Sequence, residues 1–225
     1  MKKFPVTIFD NFFETPEIIR EYALKQEFFQ AEGGDWPGLR TTELSELNQE
    51  LFNVFCKKLF SLFFNYRNCS VDWTVEATFQ RVPDYGKTKY ENMSQGWIHP
   101  DNDSFFSGVV YLNKNFPPNT GTSIYAPTCD NLKFSVEEKR KYYTGQYISD
   151  EEYSEALEKN NSQFVETVKV ENVFNRLVLF ESGQYHGVPS FYSGTGEDRL
   201  TLVFFVHDLT INGDALPIRR SRNCL

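Results

Sequence analysis

Several features are scarce in this 225-residue chain, and each scarcity removes a class of protein. No stretch approaches the ~18 consecutive apolar residues that a helix needs to cross a bilayer. The four cysteines, Cys56, Cys69, Cys129 and Cys224, form no C-x-x-C pair. Free thiols in a cytoplasmic protein are therefore the expectation. Basic residues are outnumbered: 23 Lys and Arg against 31 Asp and Glu give a net charge of -8 and a pI near 5.0. Proteins that live on phosphate backbones or dock on anionic membranes need a basic face, so neither nucleic acid nor membrane is an expected partner. The opening MKKFPVTIFDNFFETPE carries two lysines, but Asp10 interrupts the apolar stretch at once, so no signal peptide is expected. There is no internal repeat and no low-complexity tract.

Aromatic residues are what the chain has in excess: 22 Phe and 12 Tyr, in a sequence that is 40% apolar. Aromatic residues favour strands, which predicts a β-rich core. The length fits one domain, 1–225. A short strand is expected at 4–9, then a helix opened by Thr15-Pro16-Glu17, with Ile18, Ile19, Tyr22, Ala23 and Phe29 on its apolar face. A loop follows at Gly33–Gly38. A second helix is expected from about Glu43 to Tyr66, capped by Thr42, with Leu44, Leu47, Leu51, Val54, Phe55, Leu59, Leu62 and Phe63 at helical spacing. These elements, 1–70, read as an N-terminal strand and supporting helices.

From Val71 the pattern changes to short strands at intervals, the signature of a sandwich or barrel. They are expected at Val71–Val82, Phe105–Asn113, Thr122–Ala126, Thr167–Glu171, Leu177–Ser182, His186–Val188 and Leu200–His207. A charged insertion at 128–161 interrupts them, with capping boxes at Ser135…Glu138 and Ser149…Glu152. Its length and charge predict a lid or recognition element. Glu137–Lys141 and Asp150–Glu152 read as solvated helix faces.

The chain has three histidines, and one begins His99-Pro100-Asp101. On a regular strand, residues two apart point to the same face, so an imidazole and a carboxylate would stand side by side. One nitrogen and one oxygen ligand suit iron(II), and a second histidine completes a 2-His-1-carboxylate triad. His186 supplies a candidate 85 residues after Asp101, and Arg199 follows 13 residues later at the head of an apolar strand. An arginine directed into an apolar barrel is costly unless an anion meets it, and a ligand carboxylate would answer that cost.

The block His99-Pro-Asp, Ser107-Gly-Val-Val-Tyr-Leu-Asn113, Asn175-Arg-Leu-Val-Leu-Phe-Glu-Ser182 and His186-Gly-Val-Pro189…Arg199 resembles the prolyl 4-hydroxylase-like branch of the 2-oxoglutarate/Fe(II) oxygenases. The likeness covers residues 71–207. IFDNFFETPEIIREYAL and Pro37-Gly-Leu-Arg-Thr41 are similar to an uncharacterised bacterial and phage group of such proteins. The resemblance implies a double-stranded β-helix (jelly-roll, cupin-like) core with flanking helices. It implies His99, Asp101 and His186 as iron ligands, Arg199 on the distal carboxylate of 2-oxoglutarate, and Tyr111 as a hydroxyl donor to the same carboxylate. The implied cofactors are Fe(II), 2-oxoglutarate and O2, and the implied reaction is C–H hydroxylation of a peptidyl proline or other amino-acid side chain. The chain departs from the family in the insertion at 128–161 and in a longer His-to-Arg loop containing Ser193-Gly-Thr-Gly-Glu-Asp198.

Competing readings stand beside these. His99 and Asp101 could be an ordinary polar pair at a strand end, and His186 a structural histidine. Arg199 could pair with Glu197 or Asp198 at the surface, and Tyr111 could be a core tyrosine. His207 belongs to no motif. Trp97, Tyr90, Gln80 and Arg81 fit a substrate mouth and ordinary packing equally. At the level of function the alternatives are a hydroxylase of a free amino acid or small metabolite, and an inactive β-helix binding module. Oligomeric state is not legible.

Overall fold

Along the last strand the side chains divide by parity, as a pleated strand requires. This strand, Arg199–Gly213, and its neighbours belong to a computed structural model that describes residues 5–30, 34–84, 94–101, 103–129, 132, 135–144, 146–147, 149–191 and 194–213. Leu200, Leu202, Phe204 and Val206 join a buried cluster with Phe12, Ile19, Phe52, Phe55 and Leu59. Arg199, Val203, Phe205 and His207, on the opposite face, line a cavity.

The described elements run β1 (Val6–Phe9), α1 (Pro16–Leu24), β2 (Leu39–Arg40), α2 (Leu44–Leu47), α3 (Gln49–Ser61), β3 (Cys69–Val82), β4 (Phe106–Tyr111) and β5 (Thr122–Pro127). Then come α4 (Val136–Thr144), α5 (Asp150–Asn161), β6 (Phe164–Val170), β7 (Leu177–Glu181), β8 (Tyr185–Gly187) and β9 (Arg199–Gly213). A six-stranded sheet has the order β1-β7-β4-β9-β3-β2, and a three-stranded sheet has the order β6-β5-β8. Every pairing between these strands is antiparallel. Helices α1–α3 cover one face of the large sheet with apolar side chains. On its other face, Tyr111, Val178 and Phe180 meet Ile124 and Val170 of the small sheet. This is the expected double-stranded β-helix with flanking helices, two facing sheets with a cavity between them.

Three expectations need correction. The long second helix is two helices, because Asn48 is extended (φ -159°, ψ 93°) and its side chain accepts from the Leu51 N–H. Asn48 thus caps α3, and the residue before α2 is Glu43 rather than Thr42. Phe29 is not on α1: that helix stops at Leu24, and Phe29 pairs with Arg40 as a β-bridge. β9 runs to Gly213, six residues beyond His207, because Asp208–Gly213 continue the ladder against Cys69–Thr74.

The insertion at 128–161 folds as α4 and α5 between β5 and β6. Ser135 and Ser149 cap as expected, accepting from the Glu138 and Glu152 N–H groups, both at 3.2 Å. The insertion packs against the segment before His99. Trp97 packs with Tyr142 and Leu157, and the Tyr142 hydroxyl donates to the Gln95 carbonyl at 2.6 Å. Cys56, Cys69 and Cys129 are free; Cys224 and Tyr90 lie outside the described residues.

Candidate functional site

His99 and His186 face each other across a two-residue antiparallel bridge. Each backbone N–H donates to the other's carbonyl, at 3.0 and 2.9 Å. Two residues on, the Asp101 N–H donates to the Ser182 carbonyl at 2.8 Å, just past the end of β7. The His-Pro-Asp segment therefore spans the corner where the chain passes from β7 in the large sheet to β8 in the small one. It is not the regular strand the spacing suggested: only His99 forms a bridge. The two-residue separation still sends both side chains to one point.

Each imidazole is oriented from behind. His99 Nδ1 lies 2.7 Å from the Trp97 carbonyl, and His186 Nδ1 lies 3.0 Å from the Gln184 carbonyl. A carbonyl only accepts, so both Nδ1 atoms carry the proton and donate it. That turns both Nε2 atoms toward Asp101, at 3.6 Å from His99 to Oδ1 and 3.3 Å from His186 to Oδ2. The three ligand atoms all lie within 4.8 Å of one another. The ring centroids of His99 and His186 are 4.5 Å apart, and Phe180 packs on His186 at 4.5 Å.

Burial pushes His99 well below its ordinary pKa, and the nearby charges of Lys139 and His186 act in the same direction. For Asp101 burial acts upward, but interaction with His186, His99 and Lys139 outweighs it and holds the carboxyl below the usual carboxylate range. A neutral imidazole and an ionised carboxylate are the forms in which these groups bind a metal. Two imidazoles and one carboxylate with backbone carbonyls behind them fit iron(II) and leave other coordination positions open. The residues present therefore fit the implied metal.

These three residues line a cavity of about 440 Å³. Arg199 lines it from β9 and is buried, 3% exposed. Its Nε donates to the Thr120 carbonyl at 3.1 Å, and its guanidinium carbon sits 5.4 Å from the centre of the Tyr111 ring. Burial lowers its pKa, with Tyr111 opposing. The two acids that could have drawn Arg199 to the surface are engaged elsewhere: Glu197 with Arg20 at 3.0 Å, and Asp198 with Arg81. Among the described residues Arg199 forms no ion pair. Tyr111 is fully buried beside Arg199, but its hydroxyl donates to Thr122 Oγ1 at 2.8 Å, and the cavity is lined there by Thr122.

Trp97 and Gln80 reach the cavity, and so does His207, whose Nε2 lies 3.6 Å from Glu76. Arg81 pairs with Asp198 instead. Lys139 corrects the reading of Glu137–Lys141 as a solvated face. It is 7% exposed, lines the cavity, and meets Asp35 at 3.4 Å. The available signal was its helical spacing from Tyr142 and Tyr143, which puts all three on one face of α4. Sequence reasoning also missed Asp35 and Trp36, which line the cavity from the segment read only as a loop, and Arg40, which stood only within the stretch Pro37–Thr41 noted for its likeness to a family.

The described fold is similar to solved structures with little sequence in common. HygX from Streptomyces hygroscopicus, with nickel and 2-oxoglutarate bound, aligns with a TM-score of 0.53 at 12% identity over 94% of this chain and 84% of that one. The same protein with iron bound gives 0.50 at 12% identity, over 94% and 83%. A Pseudomonas putida prolyl-4-hydroxylase gives 0.43 at 15% identity, over 91% and 92%. At 12% identity the likeness to HygX establishes the fold. No curated protein matches the chain. A family model does match, over residues 1–205, and the chain belongs to that family, a family of unknown function (DUF6445).

Proposed function

We propose that this protein is a 2-oxoglutarate- and iron(II)-dependent oxygenase that hydroxylates a C–H bond of an amino-acid side chain or small molecule. The observation that carries the reading is the convergence of His99 Nε2, His186 Nε2 and the Asp101 carboxylate on one point of a cavity that also holds a buried arginine with no carboxylate partner among the described residues. A binding module has no use for that combination. An oxygenase of this class needs both halves.

His99, Asp101 and His186 would hold the iron, and Arg199 would take the distal carboxylate of 2-oxoglutarate. Tyr111 and Thr122 stand beside that subsite, so the hydroxyl that now bonds Thr122 Oγ1 has a second acceptor when a carboxylate arrives. Bound there, iron and 2-oxoglutarate supply oxygen activation, with succinate and carbon dioxide as co-products of the hydroxylation. The chain's own part is placement. The Trp97 and Gln184 carbonyls fix the imidazole orientation, and Phe180 shields His186. The apolar side chains of Val109, Val203 and Phe205 keep that part of the cavity dry.

Of the two substrate classes open in the sequence, a peptidyl side chain such as proline and a free small molecule, the insertion favours the second. α4 and the segment before β2 are tied together at the cavity by the Lys139–Asp35 pair, which narrows the room for an extended peptide.

Anaerobic addition of iron(II) and then 2-oxoglutarate should give a visible charge-transfer band. His99→Ala should lose the band while remaining folded by circular dichroism. If the folded wild-type protein shows no band after both additions, the oxygenase reading is wrong.

A further inference from the structure

The cavity has a second cationic feature that the metal and 2-oxoglutarate do not use. Arg40 ends the two-residue strand β2 and lies opposite Gln80 of β3, on the interior face of the large sheet. Its guanidinium carbon sits over the Trp36 ring, 4.1 Å from the ring centre, and 5.6 Å from the centre of Phe205. Its Nε is fully enclosed and has no hydrogen-bond partner. Among the described residues, no carboxylate comes within ion-pair distance of it. Burial lowers its pKa to about 10, with the more distant charges of Glu76, Asp101 and Asp35 opposing.

Lys139 pairs with Asp35 at 3.4 Å, and Glu76 lies 3.6 Å from His207 Nε2. Among the described residues Arg40 has no such partner, and it is fixed in place. Gly38 makes this possible: it has φ +68°, and a Cβ there would come within 2.3 Å of the Arg81 carbonyl, so the chain turns tightly against β3 just before Arg40. The cation–π contact with Trp36 then helps to hold the planar fork in place. A guanidinium held this way is preorganised for a planar, two-oxygen anion.

We propose that Arg40 is the anchor for a carboxylate of the primary substrate, which makes that substrate a small carboxylic acid rather than an internal residue of a peptide. This rests on the oxygenase reading for the word substrate, but the site itself does not depend on the metal. Arg199 and Arg40 divide the work: Arg199 belongs to the cosubstrate, and Arg40 to the molecule that is hydroxylated. The aromatic surroundings, Trp36, Trp97, Phe191 and Phe205, suit an apolar body attached to the acid group.

The test uses benzoate, with benzamide as the neutral counterpart and phenyl phosphate as the alternative anion, all with saturating 2-oxoglutarate to fill the Arg199 subsite. Binding is read by calorimetry and by quenching of Trp36 fluorescence, with Trp36→Phe to assign the signal. Benzoate should bind and benzamide should bind weakly or not at all. Arg40→Gln should weaken benzoate on the order of ten- to a hundredfold, and Arg40→Lys should restore part of it, with 2-oxoglutarate affinity unchanged in both. Tighter binding of phenyl phosphate, lost equally in Arg40→Gln, would move the anion from carboxylate to phosphate. Equal binding of benzoate and benzamide, or equal benzoate affinity in wild type and Arg40→Gln, overturns the proposal. Since calorimetry needs no turnover, a missing iron charge-transfer band alongside Arg40-dependent benzoate binding would overturn the oxygenase reading alone.

Discussion

Replacing Arg199 by Met should move stability and 2-oxoglutarate affinity in opposite directions. Arg199 is buried at 3% exposure, donates from Nε to one backbone carbonyl, and has no carboxylate partner among the described residues. In the cofactor-free protein its charge is therefore largely uncompensated. Replacing a buried ion pair by apolar residues is commonly neutral or stabilising, by about 1–4 kcal/mol, and removing a buried charge that has no partner acts in the same direction. Against that stands the loss of the donor to Thr120, about 1 kcal/mol. The net is a gain on the order of 1 kcal/mol, which raises Tm by about 2–4 °C in a chain this long. For 2-oxoglutarate, loss of a guanidinium–carboxylate contact costs about 3 kcal/mol, roughly 150-fold in Kd. Scanning calorimetry of chelated protein measures the first quantity, and anaerobic titration of the iron-loaded protein measures the second. A Tm that falls by several degrees would show that Arg199 is compensated in the fold. An unchanged Kd would remove it from the cosubstrate subsite.

The remaining predictions concern the frame around the site. His99 has a folded pKa depressed below its unfolded value, so the unfolded chain binds the extra proton as pH falls through about 6.5. Stability of the metal-free protein should then decline below that pH, by up to about 1.4 kcal/mol per pH unit, and His99→Gln should flatten the slope between pH 6.5 and 5. Denaturant unfolding across that range decides it; an identical slope in both proteins refutes the reading. Asn161 holds the segment before His99, accepting from the Ile98 N–H at 3.1 Å and donating to the Gly96 carbonyl at 3.1 Å. Asn161→Ala should weaken iron(II) binding about tenfold, as outer support of a ligand does, and unaltered iron affinity would disconnect the insertion from the metal. Asn175 has φ +63°, and its side chain accepts from the Phe13 N–H at 2.7 Å and donates to the Phe13 carbonyl at 2.8 Å. Asn175→Ala should destabilise by about 2–4 kcal/mol, with Asn175→Gly less harmful because glycine accepts that backbone freely; equal losses in urea unfolding would rule out the backbone contribution.

What could be read from the sequence, and what could not, follows one physical rule. His99 and Asp101 were legible as a candidate pair because they are two residues apart, and that spacing converges them whether or not a regular strand forms. Arg199 was legible because charge at the head of an apolar strand demands a reason, and parity along β9 delivers it to the cavity. Lys139 was not, because the run around it is charged throughout, and only tertiary packing against Asp35 distinguishes it from Lys141 on the exposed side. Arg40 was hidden for a stronger reason. Its role needs a two-residue strand, a glycine turn against β3 and Trp36 folded beneath it, none of which leaves a periodic trace. The split at Asn48 was missed because Leu44, Leu47 and Leu51 keep helical spacing across the break. The residue proposed for the cosubstrate, Arg199, thus lies on a long strand with readable periodicity, and the candidates for substrate recognition lie on the segment through β2 and on the insertion.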